Sequence, residues 1–377
     1  MLISKFNTYE IPIKYLITLH KLIRLILLEE NYINDCQIDK NKLIKSIHHD
    51  INKIDHKIFI RLIKKNRLTS LIYNSNLDIY KFIDFKKILF NHYRKELKSS
   101  LLLAKETLKI TKLLSLNNIK FLVIKGVALS LQTTNKIHMR GGGDLDIFIS
   151  EKEIFKILYL LKENGYIIMD KTFNKLNHND IAGKYFTYIY SQVKLCLQEN
   201  ITFKQTIDLH WRISWSAYNN FNFYKEWSNR ENVIINHTNI PTLNLRQSVL
   251  HSCIHSSQDE LDNLRSLIDI YKLLKKNGDK KVPALFITKL PIIYLQKFIK
   301  ERDKSLSKDS KNKFFNFLIK RAISLQLSYD FQKKRTITKI LVRLLMVQNL
   351  DELVRNFLLF LLPNKKIINL LLNLESN

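Results

Sequence analysis

The sequence predicts an α+β protein, with strands gathered in a small central core and helical regions at both ends. Three observations carry this. Apolar residues recur at helical spacing through about the first 95 positions and again beyond about 218. Between those limits the period shortens to that of strands. Four of the chain's seven glycines, Gly126, Gly141, Gly142 and Gly143, fall within eighteen positions of that middle stretch, so backbone freedom is concentrated there. At 377 residues the chain is long enough for two or three domains. The changes of period divide it into 1–95, 96–217 and 218–377.

The elements follow in order. Tyr15, Leu19, Leu22 and Ile26 keep helical spacing, as do Ile58, Leu62 and Ile63. A run over 84–117 puts Phe85, Leu89, Tyr93, Leu97 and Leu101 at i, i+4 intervals and stops at the turn signal Asn117-Asn118. Phe121–Ile124 reads as a buried strand, and Val127–Leu131 resumes a helix, so Lys125-Gly126 lies at a strand-to-helix junction. Leu145, Ile147 and Ile149 alternate with Asp144, Asp146 and Phe148, a half-buried strand with both acids on one face. An amphipathic helix over 154–164 closes at Gly165, and a polar loop covers 171–183. Strands are expected at 184–190, 194–198 and 205–214, the last with Asp208 and His210 on one face. The remainder reads as helical, broken at Pro241, Gly278 and Pro291.

Lys plus Arg is 62 against 34 Asp plus Glu, a net charge of +28, which favours polyanionic partners such as nucleotides or RNA. Richness in Ile, Lys and Asn makes compositional bias the larger cause of that excess. Cys36, Cys196 and Cys253 lie far apart, without CxxC or other metal-like spacing, as expected of a reducing cytoplasm. No secretory signal is expected in the first sixteen residues. The apolar tail at 357–374 is cut by Pro363, Asn364, Lys365 and Lys366 into segments too short for a bilayer, so no membrane insertion is expected.

The chemistry concentrates at Asp144, Asp146 and Asp208. Carboxylates two apart on a strand point the same way and can share one or two Mg²⁺ ions, with a third acid from a neighbouring strand completing the set. A glycine-rich turn opening a helix suits phosphate, because free N–H groups and the positive dipole end meet there. Gly126, Gly142 and Gly143 are therefore read as the cradle, with Lys125 and Arg140 as phosphate contacts, Lys as a point charge and Arg as a fork. His210 reads first as a structural histidine beside Trp211, able to orient Asp208. His251 and His255, at i, i+4, lack the glutamate of an HExxH pattern. With Arg265 and Asp269 they form a secondary set, for substrate contact or for packing.

IKG at 124–126, RGGGDLDIFI at 140–149 and DLHWR at 208–212, in this order, resemble the polymerase-β-like nucleotidyltransferase superfamily. More narrowly they resemble the bacterial group of uncharacterised nucleotidyltransferases, over roughly 85–275. Gly165-Tyr166 and the later His251, His255, Arg265 and Asp269 fit the same order. The resemblance implies a small mixed-sheet nucleotidyltransferase core at 96–217, flanked by the helical regions 1–95 and 218–377. It also implies Mg²⁺-dependent use of an NTP, ATP first among the candidates, with Asp144, Asp146 and Asp208 as metal ligands. The superfamily usually has Gly or Ser after the first glycine, where this chain has Val127. The expected reaction is transfer of a nucleoside monophosphate to a small-molecule, protein or RNA hydroxyl. Two alternatives are an inactive module of the same fold that binds RNA or a protein through its basic surface, and one half of a toxin–antitoxin pair.

Overall fold

A computed structural model describes residues 11–32, 39–75, 83–173, 175–177, 180–197, 206–213, 221–278, 286–299, 313–327, 354, 358 and 364–376. The expectations for the first ten residues, Cys36, and the 359–363 part of the apolar tail lie outside these. The chain forms two compact units that interleave in sequence, where the sequence suggests three consecutive regions. One unit comprises 1–98, 138–141 and 252–340; the other comprises 99–137, 142–251 and 341–377. Among the described residues no helix is long and apolar enough to cross a membrane.

The first unit is helical. α1 (Ile13–Glu29) buries Tyr15, Leu19, Leu22 and Ile26, the face that periodicity marks. α2 (Lys40–Asn52) and α3 (His56–Lys65) start at Asp39 and Asp55, whose carboxylates accept from backbone N–H groups of their first turns. α4 (Thr69–Tyr73) is a short turn of helix. α5 (Ile83–Leu116) belongs to this unit as far as Lys98 and to the second unit from Ser99, and it shows the limit of an i, i+4 reading. Phe85 and Leu89 are buried but Leu101 is 50 % exposed. Each four-residue step overshoots a full turn by about 40°, so the buried line has moved to Leu103, Thr107, Ile110 and Leu114 by the helix's second half.

The second unit holds a mixed five-stranded sheet. Its strands are β1 (Phe121–Val123), β2 (Asp144–Ile149), β3 (Tyr166–Ile168), β4 (Gln192–Leu197) and β5 (Thr206–His210), in the order β1-β2-β5-β4-β3. β2 and β5 run parallel, and the other neighbours are antiparallel. With its flanking helices this is the α+β class the sequence predicts. Leu145, Ile147, Ile149, Ile207, Leu209, Val193 and Leu195 form one face and join α6 (Gly126–Thr134) and α7 (Ile154–Glu163) in the main apolar core. The opposite face is divided. Leu122, Ile124 and Phe148 pack with Phe223 and Leu243 at one side. The other side of that face carries Asp144, Asp146, Lys194, Thr206, Asp208 and His210, with Gln192 and Cys196 at the same parity of β4.

Two expectations are corrected here. The run 184–190 is not a strand but part of α8 (Ile181–Ile189), which buries Ala182, Gly183, Phe186 and Ile189, a helical spacing hidden among aromatic and β-branched residues. A side chain at Gly183 would fall 1.8 Å from the Asn177 carbonyl oxygen, so only glycine lets that loop lie against the helix. The region beyond 218 is not helical throughout. After α9 (Phe223–Ser228) a hairpin forms from β6 (Glu231–Ile235) and β7 (Thr238–Thr242). Its turn residues Asn236 and His237 both have positive φ, as a two-residue primed turn requires, but without the glycine that announces one in sequence. Pro241 sits in β7 of this two-stranded sheet, where an absent N–H is tolerated. α10 (Leu245–Gln258) and α11 (Leu264–Asn277) follow, and α11 ends at Gly278, φ +61°. Pro291 lies inside α12 (Phe286–Ile299) instead of breaking it. α13 (Lys313–Leu327) and α14 (Asn364–Ser376) complete the described helices.

Candidate active site

The pairing of β2 with β5 sets Asp146 directly beside Asp208, and the pairing of β5 with β4 sets Lys194 on the other side of Asp208. Lys194, Asp208 and Asp146 therefore form one row across three strands, their side chains on the face away from the main core. One step along, Asp144 pairs with Thr206; one step the other way, Phe148 pairs with His210. The parity of two strands is enough to gather the acids. A one-residue slip in either would send them into the apolar layer.

Asp146, Asp208 and His210 are buried, and one ligand atom from each lies within 4.8 Å of the others. Asp146 Oδ1 is met by His210 Nε2 at 3.0 Å and by Lys125 Nζ at 3.3 Å. His210 thus orients Asp146, not Asp208 as its sequence neighbourhood suggests. Lys194 Nζ stands 3.2 Å from Asp208 Oδ1 and 3.5 Å from Asp144 Oδ2. Asp144 is half-exposed at the strand's start and accepts a 2.5 Å hydrogen bond from Thr206 Oγ1. Among the described residues Asp208 Oδ1 is buried without a well-aligned donor, and Lys194 meets it chiefly as a charge.

The electrostatics follow from this crowding. Burial pushes the Asp208 carboxyl above its usual range, and the neighbouring Asp146 charge adds to that, only partly offset by Lys194 and His210. Burial pulls the Lys194 ammonium down, but Asp208 and Asp144 outweigh it and leave the net shift upward. A divalent cation fits this set of residues. The donors are carboxylate oxygens plus an imidazole, a buried acceptor lacks an aligned donor, and negative charges crowd one another.

Beside the acids, Gly126 opens α6 with φ +53°, and Lys125, at its N-cap, gives the helix no side-chain cap. A side chain at 126 would meet the Asp144 carbonyl oxygen at 3.2 Å and Leu103 at 3.4 Å, so the glycine serves conformation and close packing together. Val127, the departure from the superfamily pattern, is buried in the main core. Gly143 is different: a side chain there would meet nothing within 4 Å, leaving open space beside the strand's acidic end. Gly142 takes a hydrogen bond on its carbonyl from Ser99 Oγ, 2.9 Å.

The remaining candidates have partners of their own. Arg140 belongs to the first unit, where its Nε donates to Asp269 Oδ2 at 2.8 Å. Arg265 Nε donates to the other oxygen of Asp269 at 3.0 Å, and its Nη1 to the Met139 carbonyl at 2.7 Å. His251 is buried against Phe221 in the second unit. His255, in the first, pairs with Asp259. Sequence reading passed over Lys194 and Thr206. Strand parity was the signal available, since each falls on the acid face once β4 and β5 are paired.

A family model described as uncharacterised nucleotidyltransferase matches residues 52–289. The chain belongs to this nucleotidyltransferase family. The match takes in the whole sheet and extends past the 85–275 reached by motif. Family membership supports a nucleotidyl-transfer role for the chain, and the buried Asp-Asp-His group of this nucleotidyltransferase could hold a metal ion. No curated protein matches the chain.

Proposed function

We propose that the protein transfers a nucleoside monophosphate from an NTP, ATP first among the candidates, to an acceptor hydroxyl, releasing pyrophosphate. The observation that carries this is the row Asp146–Asp208 across the parallel pair β2/β5, with Asp144 at the strand's start and the uncapped N-terminus of α6 beside it. Asp144, Asp146 and Asp208 would hold two Mg²⁺ ions. Bound there, these would lower the cost of forming the attacking oxyanion and neutralise charge on the leaving pyrophosphate. His210 fixes the rotamer of Asp146, and the open approach at Gly143 with the first turn of α6 receives phosphate oxygens.

Asp208, at the centre of the row, would also take the acceptor hydroxyl's proton. The acceptor oxygen forms a bond to the α-phosphorus as the α–β bridging bond breaks, and pyrophosphate departs with the electron pair. Burial of Val127 in the core keeps its side chain out of the phosphate approach, which favours an active enzyme over an inactive module. The acceptor is a small molecule, a protein side chain or an RNA end, acted on in the cytoplasm.

The test uses each labelled NTP with Mg²⁺ and a cell extract. Wild-type protein is expected to label an acceptor, and Asp144→Ala combined with Asp146→Ala to abolish that labelling. Undiminished labelling by the double variant would reject this site.

A further inference from the structure

Lys194 lies in the acid row without being a metal ligand, since a protonated amine has no lone pair to offer. Its ammonium nevertheless stands between two of the acids, 3.5 Å from Asp144 Oδ2 and 3.2 Å from Asp208 Oδ1. The register makes this position a property of the sheet, because Lys194 is paired directly opposite Asp208. The side chain is 38 % exposed on a flexible four-carbon stem, so water can receive its charge when it leaves. The two acids it joins are unequal: Asp144 is 51 % exposed, and Asp208 only 10 %.

Resting on the metal-dependent reading above, we infer that Lys194 is a built-in counter-cation. It holds Asp144 and Asp208 together in the metal-free protein and competes with the divalent ion for the place between them. Three carboxylates on adjoining strands repel one another, and an unpaired buried Asp208 would be costly. The ammonium removes that cost before any metal arrives, and the acids wait in a geometry that a divalent ion can use. A divalent ion held by these acids would carry twice the charge and compete with the lysine, whose side chain would then be free to turn toward another anion at the exposed end of the row. Lys194 is thus a positioning residue, acting through the carboxylates it pairs.

The experiment measures Mn²⁺ binding to the full chain by electron paramagnetic resonance without nucleotide, alongside thermal unfolding with and without Mn²⁺. Lys194→Met is expected to bind Mn²⁺ about tenfold more tightly than wild type, because the competitor is gone. Its metal-free midpoint should fall, and added Mn²⁺ should raise that midpoint by more than it raises the wild-type one. Lys194→Arg, which keeps the charge, is expected to bind Mn²⁺ no more tightly than wild type. Lys194→Gln serves in place of the methionine variant if far-ultraviolet circular dichroism shows the latter unfolded. Equal or weaker Mn²⁺ binding by the neutral variants overturns the inference. Asp146→Asn separates the two failures. If it abolishes Mn²⁺ binding while the neutral Lys194 variants leave affinity unchanged, only the role of Lys194 falls. If it binds Mn²⁺ as wild type does, the metal reading of the site falls with it.

Discussion

In the first unit Asp269 sits between two guanidinium groups, Arg140 on one carboxylate oxygen and Arg265 on the other. In the second, Asp144, Asp146 and Asp208 share Lys125, Lys194 and His210. Both groups are sequestered and rich in charge, yet they are balanced in opposite senses. Around Asp269 there are two cations to one acid, and the loose end is a donor, the buried Arg265 Nη2, which makes no hydrogen bond. Around Asp208 there are three acids to two lysines and a histidine, and among the described residues the loose end is an acceptor, Asp208 Oδ1. The first arrangement fixes residues 139 and 140 against α11, since Arg265 also holds the Met139 carbonyl. The second ends on a buried acceptor beside two further acids, which a cation from outside can meet. A buried ion group whose loose end is a donor offers a cation nothing; one whose loose end is an acceptor among three acids suits a cationic ligand.

Substituting the central acid of each group breaks the comparison most directly. Asp208→Asn removes the proposed metal ligand and base, and nucleotide transfer is expected to fall by about a thousandfold or more, read as initial rates at saturating NTP. Stability should hold or rise in the same variant, because a carboxyl whose ionisation is opposed by burial and by Asp146 has been made neutral. Asp269→Ala should do the reverse kind of damage. It strands two guanidinium groups, one of them in a fully buried side chain, and should cost about 3–5 kcal/mol in urea unfolding. Should Asp208→Asn destabilise as much as Asp269→Ala, the two groups are built alike and the contrast fails.

The two groups also differ in how far sequence reveals them. Asp144, Asp146 and Asp208 were legible because strand parity is local: residues two apart share a face whatever lies around them. The helix opening at Gly126 was legible for the same reason, a change of period at one junction. The partners were not. Lys194 reaches Asp208 only through an antiparallel register between β4 and β5, and Arg140 reaches Asp269 across 129 positions of chain. Proximity in sequence made Arg140 look like a phosphate ligand beside the glycines, whereas the described fold engages it with α11. The hairpin β6–β7 was hidden because Asn236 and His237 supply positive φ without glycine. α8 was hidden because KYFTYIY has the composition of a strand and only its burial is helical. Composition and short spacing reveal what a residue's own element does, not which other element it will meet.

A third buried carboxylate sharpens the account of Asp208. Glu226 is 1 % exposed, accepts a hydrogen bond from Gln247 Nε2 at 3.2 Å, and is pushed by burial from 4.5 up to about 7. Because the folded protein binds this proton more tightly than the unfolded chain, the group's contribution is fully present below about pH 4.5. It is lost as pH rises through about 7. Stability of the wild type relative to Glu226→Gln should therefore fall by up to about 3 kcal/mol between pH 5 and 8, measured by denaturant titration at each pH. A flat difference across that range would mean that burial alone does not hold a carboxyl neutral in this unit, and the raised Asp208 would then owe more to Asp146 than to burial.

The smallest effects come from comparing two glycines within the site. Gly126→Ala meets two obstacles, a φ of +53° and the Asp144 carbonyl at 3.2 Å, and the nearer neighbour is backbone that cannot swing aside. It should cost about 1–3 kcal/mol and displace the start of β2, lowering transfer through the position of Asp144. Gly143→Ala meets nothing within 4 Å and has no positive φ, so its stability should stay within about 0.5 kcal/mol of wild type. What the added methyl group does obstruct is the open space beside the acids, and its effect belongs in KM for the NTP rather than in folding. A rise in KM with unchanged unfolding would separate room kept for a phosphate from room kept for the chain itself. An unchanged KM would make Gly143 a simple connector and leave phosphate binding to Gly126 and the first turn of α6.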